Sequence, residues 1–344
     1  MKPLRFAVIG CGFWSQFQMA GWRELEGVEP AAVWNRTASK ARAIAQRFGV
    51  PQVFEDPEEM LRKVKPDFVD IITDVDTHAR YVELAAKHRV PAVCQKPMAP
   101  NLPVAQRMLD QARAAGIPLL INENWRWQHP LRQFKAALDA GDLGRCFRAR
   151  VTYSCSFPVF DNQPFLRELE QFILADIGSH ILDAARFLFG EARTLFCRTC
   201  QASRGIRGED VATVMLGMDG GATVTCEMSY ASRLGNERFP QTYVLAECDR
   251  GSLELGCDYW IRKTDAGGTL SRRCPPPRYA WADPAYDVVH ASIVDCQRDL
   301  LEALRGRKKA ETDAEDNIKT VRLVAASYES ARTGQVLDLE TFSP

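Results

Sequence analysis

No sign of charge prevails in this sequence of 344 residues, where 44 lysines and arginines stand against 44 aspartates and glutamates. A surface that tracks phosphates keeps a basic excess, so the balance argues against nucleic acid as the main partner. It equally argues against an acidic solubilising chain. No stretch approaches the roughly 18 unbroken apolar residues of a membrane span. The apolar segment after Met1, Lys2 and Pro3 is too short, and too soon broken by glycines, for a signal peptide. Internal repeats, charge blocks and low-complexity linkers are all missing. What is left is an ordinary globular composition, 46% hydrophobic and 26% charged. At about 150 residues per domain, the length predicts two domains.

Cysteine is plentiful but unpatterned. The eleven residues are an odd count and run from Cys11 to Cys296 without framework spacing. The one close pair, Cys197 and Cys200, lies in Thr194–Cys200, which reads as a strand. Residues three apart on a strand point to opposite faces and cannot chelate one metal together. Buried free thiols in a reducing cytosol are the expectation, without a disulfide or a metal.

The first third of the chain alternates short apolar runs with helical patterns. Strands are expected at Arg5–Ile9, Ala31–Trp34, Phe68–Thr73, Ala92–Cys94 and Leu119–Asn122. Helices are expected from the glycines after Ile9 to about Leu25, then at Ser39–Phe48, Thr77–His88 and Pro103–Ala115. Such alternation predicts a doubly wound parallel sheet with helices on both faces, ending near residue 123. Beyond it, helix His129–Ala140 precedes strands at Phe147–Ser154, Leu195–Gln201, Ala212–Leu216, Thr223–Met228 and Tyr243–Glu247. The turn Met218-Asp-Gly-Gly-Ala222 is a hairpin signal. Further helices are expected at Asp176–Phe189, Asp287–Leu304 and Ala314–Arg332. Residues 124–344 therefore read as an α+β domain on a large, mainly antiparallel open sheet. Its strands 211–216 and 223–228 carry apolar residues in both alternating registers. Burial of both faces by a second copy would explain that, so a homo-oligomer, dimer or tetramer, is expected.

Gly10-Cys-Gly-Phe-Trp-Ser15 follows the first strand and opens the first helix. Gly10 permits a tight turn, Gly12 admits a pyrophosphate to the backbone, and the N–H groups around Phe13 and Trp14 face the anion. The third fingerprint position is Ser15, small but not glycine. Strand before and helix after make this a Rossmann dinucleotide site, the competing reading being a plain strand-to-helix turn. Where an acidic residue would bind the ribose of NAD, Asn35-Arg-Thr stands instead. Arg36 or Lys40 could neutralise the 2′-phosphate of NADP; equally, Asn35 could accept a ribose hydroxyl. NAD and NADP both stay open.

Together with this opening, Thr77-His78 after the expected strand Phe68–Thr73, Gln95-Lys96-Pro97 after the next and Asp176-Ile-Gly-Ser-His180 resemble the Gfo/Idh/MocA dehydrogenases over about residues 4–342. The resemblance implies oxidation of sugars, cyclitols or related polyols with NAD or NADP. The family's usual Glu-Lys-Pro is here Gln95-Lys96-Pro97. A narrower likeness, to the D-apiose dehydrogenase branch, rests on Asp74-Val-Asp-Thr-His78, Glu123-Asn-Trp-Arg-Trp-Gln128, Gly208-Glu-Asp-Val-Ala-Thr213 and Asp316-Asn-Ile-Lys319. It implies oxidation of a branched pentose at its hemiacetal carbon to a lactone.

Hydride transfer from a carbinol needs a base for the hydroxyl proton and groups that stabilise the forming alkoxide. Asp176 and His180 are four apart in a helical stretch and share a face. His180 suits a general base, Asp176 could orient it or bind a neighbouring hydroxyl, and Lys96 beyond a strand end could hold the reacting oxygen. A structural Asp–His pair and a solvated lysine are the plain alternatives. Trp125 and Trp127 could stack on sugar C–H faces and Arg126 could bind hydroxyls or a carboxylate; on an extended segment Arg126 would point away from both tryptophans. Tyr153, Phe157 and Asp161 are candidates for a pocket rim. Thr73 and Gln95 at strand ends, and His78 just past Thr77 as N-cap, are assigned to the cofactor side, whereas His88 and His290 read as structural. Two rival functions keep the fold: a glycoside hydrolase that oxidises transiently and returns the hydride, and a dinucleotide sensor with a dead site. Accumulation of reduced cofactor separates the dehydrogenase from the hydrolase, and the retained Lys96, Asp176 and His180 weigh against the sensor.

Overall fold

The computed structural model describes residues 2–235 and 239–343, and the contacts within it divide the chain into two compact units. The first comprises Met1–Asn124, Ala280–Ala282 and Ile293–Val321. Its elements are β1 (Leu4–Ile9), α1 (Ser15–Arg23), β2 (Val28–Trp34), α2 (Ala38–Phe48), β3 (Val53–Phe54), α3 (Pro57–Val64), β4 (Phe68–Ile71), α4 (Val75–Lys87), β5 (Ala92–Gln95), α5 (Leu102–Ala115) and β6 (Leu119–Asn122). The strands pair in parallel in the order β3-β2-β1-β4-β5-β6. β4, β5 and β6 are buried at every position, as a parallel sheet covered on both faces requires. The order reverses between β1 and β4, and sheets of this kind take ligands beyond the carboxyl ends of the strands at that switch.

Three local readings change. β3 has two residues, too few to show a periodicity. α3 carried an unused start signal, since Asp56 accepts the Glu59 N–H at 2.6 Å with Pro57 in the first turn. α4 begins earlier than expected: its N-cap is Asp74, and Thr77 lies inside, its hydroxyl donating to the Asp74 carbonyl at 2.8 Å. The expected single division near residue 123 is also corrected, because later segments return to the first unit. Thr312 and Ile121 exchange two hydrogen bonds of 2.8 Å, closing the outer edge of β6. Gln297 donates to the carbonyl and side-chain oxygen of Gln18 at 3.0 and 2.7 Å.

The second unit comprises Trp125–Tyr279, Asp283–Ser292 and Arg322–Pro344. After a 3-10 turn at Trp125–Trp127 come α6 (His129–Asp139), β7 (Cys146–Ser154), α7 (Val159–Asn162), a π-helical turn at Leu174–Gly178 and α8 (Ser179–Phe189). There follow β8 (Ala192–Cys200), β9 (Val211–Met218), β10 (Thr223–Ser229), β11 (Tyr243–Cys248), β12 (Gly251–Leu255), β13 (Trp260–Asp265) and β14 (Gly268–Arg273). α9 (Asp287–Leu304), α10 (Ala314–Thr333) and β15 (Leu337–Asp338) complete the chain; α9 and α10 each contribute residues to both units.

Nine strands form one sheet in the order β14-β13-β12-β11-β7-β10-β9-β8-β15. Every pairing is antiparallel except β10 on β7. The expected hairpin joins β9 to β10, closed by the Met218 N–H on the Ala222 carbonyl at 2.9 Å. β12 to β14 lay outside expectation, since β14 is exposed throughout and shows no apolar alternation. Only one register of β9 and β10 is buried, through Val214, Leu216, Val224, Cys226 and Met228; Thr213 and Met215 on the other face are exposed. Cys197 is buried and Cys200 exposed, on opposite faces of β8, and no disulfide joins any two of the eleven cysteines. Burial pushes the Cys11, Cys146 and Cys197 thiols up to about 12, which makes them poor nucleophiles and poor ligands.

One buried carboxyl gives the first unit a pH dependence. Phe6, Trp22 and Phe68 pack with ring centroids 5.2–5.7 Å apart, and the Trp22 indole donates to Asp70 Oδ2 at 2.7 Å. Asp70 Oδ1 is buried without a partner, and burial pushes this carboxyl up to about 7 against the single opposing hydrogen bond from Trp22. The folded chain therefore holds a proton here that the unfolded chain releases near pH 4. Stability should fall as pH rises from about 4 through about 7 and level off above, at about 1.4 kcal/mol per unit of elevation. Asp70→Asn is expected to unfold at a higher temperature than the parent near pH 8 and to lose most of this slope. Thermal melts across that range would show it, and an unchanged slope would refute it.

Candidate active site

The glycine turn after β1 contains two glycines with different reasons to be there. Gly10 sits at φ +106°, and a Cβ on it would lie 2.3 Å from the Ile72 carbonyl oxygen. It is a packing glycine, needed because the end of β4 passes so close. Around Gly12 a Cβ would meet nothing within 4 Å, so this glycine faces open space. No side chain caps the start of α1, which leaves backbone N–H groups near Phe13 and Trp14 for an anion. Ser15 takes the third fingerprint position in full burial, its hydroxyl donating to the Gly12 carbonyl at 2.7 Å.

Asn35 braces the glycine turn. Its carbonyl accepts the Cys11 N–H at 2.9 Å and its amide donates to the Thr37 carbonyl at 3.0 Å. It pins the glycine turn to the end of β2, and its carbonyl oxygen keeps a second lone pair. Arg36 and Lys40 beside it are exposed. Thr73, half-buried beyond β4, has its hydroxyl 2.8 Å from that of Thr77, which can accept because its own proton goes to the Asp74 carbonyl.

His78, expected on the cofactor side, faces main-chain carbonyls with both ring nitrogens. Nδ1 lies 3.1 and 3.3 Å from the Pro97 and Met98 oxygens, and Nε2 lies 3.1 Å from that of Thr73. Burial holds it below the usual histidine range. As a neutral ring it donates from one nitrogen, and so ties α4 to one of the two segments that follow β4 and β5. Gln95, at the end of β5, accepts the Lys96 N–H on Oε1 at 2.9 Å. Its Nε2 is buried without a partner, an orphaned donor that a bound group would complete. The open space at Gly12, the uncapped α1 start and this amide together fit a dinucleotide.

In the second unit Asp176 and His180 do not share an ordinary α-helical turn. Asp176 lies in the π-helical turn and His180 in the first turn of α8; single π turns occur often at functional sites. Asp176 is half-buried and receives the Tyr230 hydroxyl at 3.4 Å. Tyr230 and Tyr153 pack edge to face with ring centroids 6.0 Å apart, and burial pushes both hydroxyls well above the usual phenol range. His180 is buried with its imidazole stacked on the Trp125 indole, centroids 4.4 Å apart and planes 22° from parallel. Tyr230 was not foreseen; its sequence context, the end of a strand, offers no signal.

The aromatic candidates are corrected as a group. The segment Trp125–Trp127 is a 3-10 turn, so the alternation of an extended chain does not apply. Trp125 is 3% exposed, with His180 on its face, Tyr153 at its edge and its Nε1 donating to Thr242 at 2.8 Å. Trp127 is 8% exposed with the Arg132 guanidinium 4.2 Å from its ring centroid. Tyr153 is 2% exposed. None of the three presents an open face for a sugar to stack upon. Arg126 is buried and grips Asp183 through two bonds, Nε at 2.7 Å and Nη2 at 2.5 Å. Arg186 stands 3.6 Å from the same carboxylate and holds Glu191 through two bonds of 2.8–2.9 Å. The expected anchor for a substrate carboxylate is instead part of a buried ion network.

Phe157 stacks on Phe239 at 3.8 Å, with Tyr286 at the edge of both, and Asp161 is exposed. His290 stacks on Tyr286, accepts the Asp283 N–H at 3.2 Å and is pushed down by burial to about 4. His88 pairs with Glu58 at 3.3 Å. Among the described residues, no group of three or more His, Cys, Asp or Glu is placed to hold a metal ion.

Known proteins match along the whole of this arrangement. A family profile described as "Oxidoreductase family, NAD-binding Rossmann fold" matches residues 4–123, and one described as "GFO/IDH/MocA C-terminal domain" matches residues 131–254. A D-apiose dehydrogenase of Paraburkholderia graminis is 40% identical over 341 residues, 99% of this chain and 91% of that protein. One from Rhizobium rhizogenes is 38% identical over 339 residues, 98% of each. A solved oxidoreductase from Agrobacterium radiobacter, in complex with NAD+, L-tartaric acid and magnesium, superposes with a TM-score of 0.96 at 37% identity. The match covers 98% of this chain and 99% of that one.

The two glycines should separate in experiment. Gly10→Ala is expected to lower the melting temperature sharply, because the new methyl strikes main chain. Gly12→Val should leave the melting temperature within a degree or two, yet weaken NAD binding at least about tenfold in a fluorescence titration. Unchanged NAD affinity in Gly12→Val would show that the cradle lies elsewhere.

Proposed function

Because the chain belongs to the Gfo/Idh/MocA family of NAD-binding oxidoreductases, we propose that it oxidises a sugar or polyol carbinol with NAD(P), and that its substrate is D-apiose or a similar aldose. The observation that carries the substrate is likeness at 40% and 38% identity to two D-apiose dehydrogenases over nearly the whole chain. When bound, the nicotinamide supplies the hydride acceptor. The reaction takes a hydride from the hemiacetal carbon and a proton from its hydroxyl, and leaves a lactone.

His180 takes the hydroxyl proton. Its ring plane is held by the stacked Trp125, itself hydrogen-bonded to Thr242, so the base is oriented before substrate arrives. Asp176, steadied by the Tyr230 hydroxyl, binds a neighbouring hydroxyl. Lys96, following the end of β5, holds the reacting oxygen and stabilises its developing charge. Gly12, the N–H groups at the start of α1, Arg36, Lys40 and Gln95 hold the dinucleotide. With Arg126 committed to Asp183, a neutral sugar is favoured over an acid. A second copy of the chain covers the face of the large sheet on which Met215 and Phe147 are exposed.

Turnover of D-apiose, other aldoses, cyclitols and hydroxy acids with NAD and with NADP should show stoichiometric accumulation of reduced cofactor, highest with D-apiose. Turnover without accumulation would instead indicate a hydrolase that returns the hydride. His180→Ala should lower kcat by about 100-fold or more with NAD affinity intact, and near-normal turnover would remove it from the mechanism. Light scattering should give a mass of at least twice the chain's 38.6 kDa; a monomer would refute the second copy.

A further inference from the structure

The motif Gly208-Glu209-Asp210 takes no part in the chemistry above, and the structure gives it another use. Asp210 closes its own loop, its two carboxyl oxygens accepting the Ala202 and Ser203 N–H groups at 2.6 and 3.0 Å. Glu209, 8% exposed, serves the helical segment that carries Asp176 and His180. A helix leaves its first N–H groups without intrahelical acceptors, and here Glu209 receives them in succession. Its carboxyl accepts from Phe172 at 3.2 and 3.3 Å and from Leu174 at 3.1 Å, while its carbonyl accepts from Ile173 at 3.1 Å.

The next N–H, that of Ala175, donates to the Tyr328 hydroxyl at 3.1 Å, which in turn donates to Glu209 Oε1 at 2.8 Å. Burial, then the neighbouring Glu209, push that hydroxyl well above the usual phenol range, so Tyr328 keeps the proton it donates. Asp176 follows immediately. Its own N–H is the first in the series to bond within the helix, to the Phe172 carbonyl at 2.9 Å. The close approach depends on Gly208, where a Cβ would fall 2.7 Å from the Leu169 carbonyl oxygen.

A π turn is rarely self-sustaining, and a helix start displaced by one residue swings each side chain by about 100° around the axis. We propose that Glu209 and Tyr328 are positioning residues for Asp176: they fix the residue at which the π-helical turn begins and thereby aim its carboxyl. This rests on the reading of Asp176 as a substrate-binding group.

The test is a mutant cycle of Tyr328→Phe and Glu209→Gln, each alone and combined with Asp176→Asn. The probe is D-apiose with NAD, or whichever sugar or polyol of the screen gives the highest turnover. Tyr328→Phe, which removes one hydroxyl and no packing volume, should lower kcat/KM for the sugar by about tenfold without changing KM for NAD. Amide exchange over residues 172–176 should quicken in both single variants. In the Asp176→Asn background the same substitutions should change kcat/KM by about twofold at most. An equal penalty in both backgrounds signals general damage and overturns the proposal, as does unchanged amide exchange whatever the turnover. Full activity in Asp176→Asn alone would instead overturn the role of Asp176, and the positioning role would fall with it.

Discussion

A helix that starts in a buried place must find acceptors for its first four N–H groups, and in this protein that demand organises the second unit. Water is not at hand where Phe172, Ile173 and Leu174 lie with no exposed surface. The acceptors come from distant parts of the chain, Glu209 just before β9 and Tyr328 on α10. An unmet N–H in such a place would cost about 1–3 kcal/mol, so the start of the helix cannot drift without breaking several bonds together. Asp176 and His180 inherit their directions from that start.

Further along the same helix, Asp183 meets Arg126 and Arg186 in full burial. Buried ion pairs are weak evidence of net stability, because desolvation offsets much of their attraction. Their value here is registry. Arg126 belongs to the 3-10 turn that also bears Trp125, and its two bonds to Asp183 hold that turn against α8 one helical turn beyond His180. Stacking of Trp125 on the imidazole follows from that clamp. The charged residue and the aromatic ring next to it serve one end: a histidine whose plane is settled in advance.

The first unit was largely legible in the sequence. Strands buried on both faces must read as short apolar runs, and those at Leu4–Ile9, Phe68–Ile71 and Leu119–Asn122 do. The glycine turn was legible because few other residues permit its backbone. What escaped were contacts between residues far apart in sequence. That Asn35 braces the glycine turn shows only when its carbonyl is found on the Cys11 N–H. Residues 293–321 carry no mark of returning to the edge of β6. The strands β13 and β14 escaped for the opposite reason, since polar, largely exposed strands lack the alternation by which strands are recognised.

Composition, the period of the apolar runs and the glycine turn determined by themselves that this chain builds a dinucleotide-binding parallel sheet followed by an α+β half. These are properties of neighbouring residues, so local sequence is enough to carry them. Only the tertiary structure decided which polar side chains are committed and to what. Arg126 went to Asp183, His78 to the main chain and Glu209 to the start of a helix. The reason is physical: a buried donor or acceptor must be satisfied by whatever the fold brings within about 3 Å, and that neighbour is almost never its neighbour in sequence.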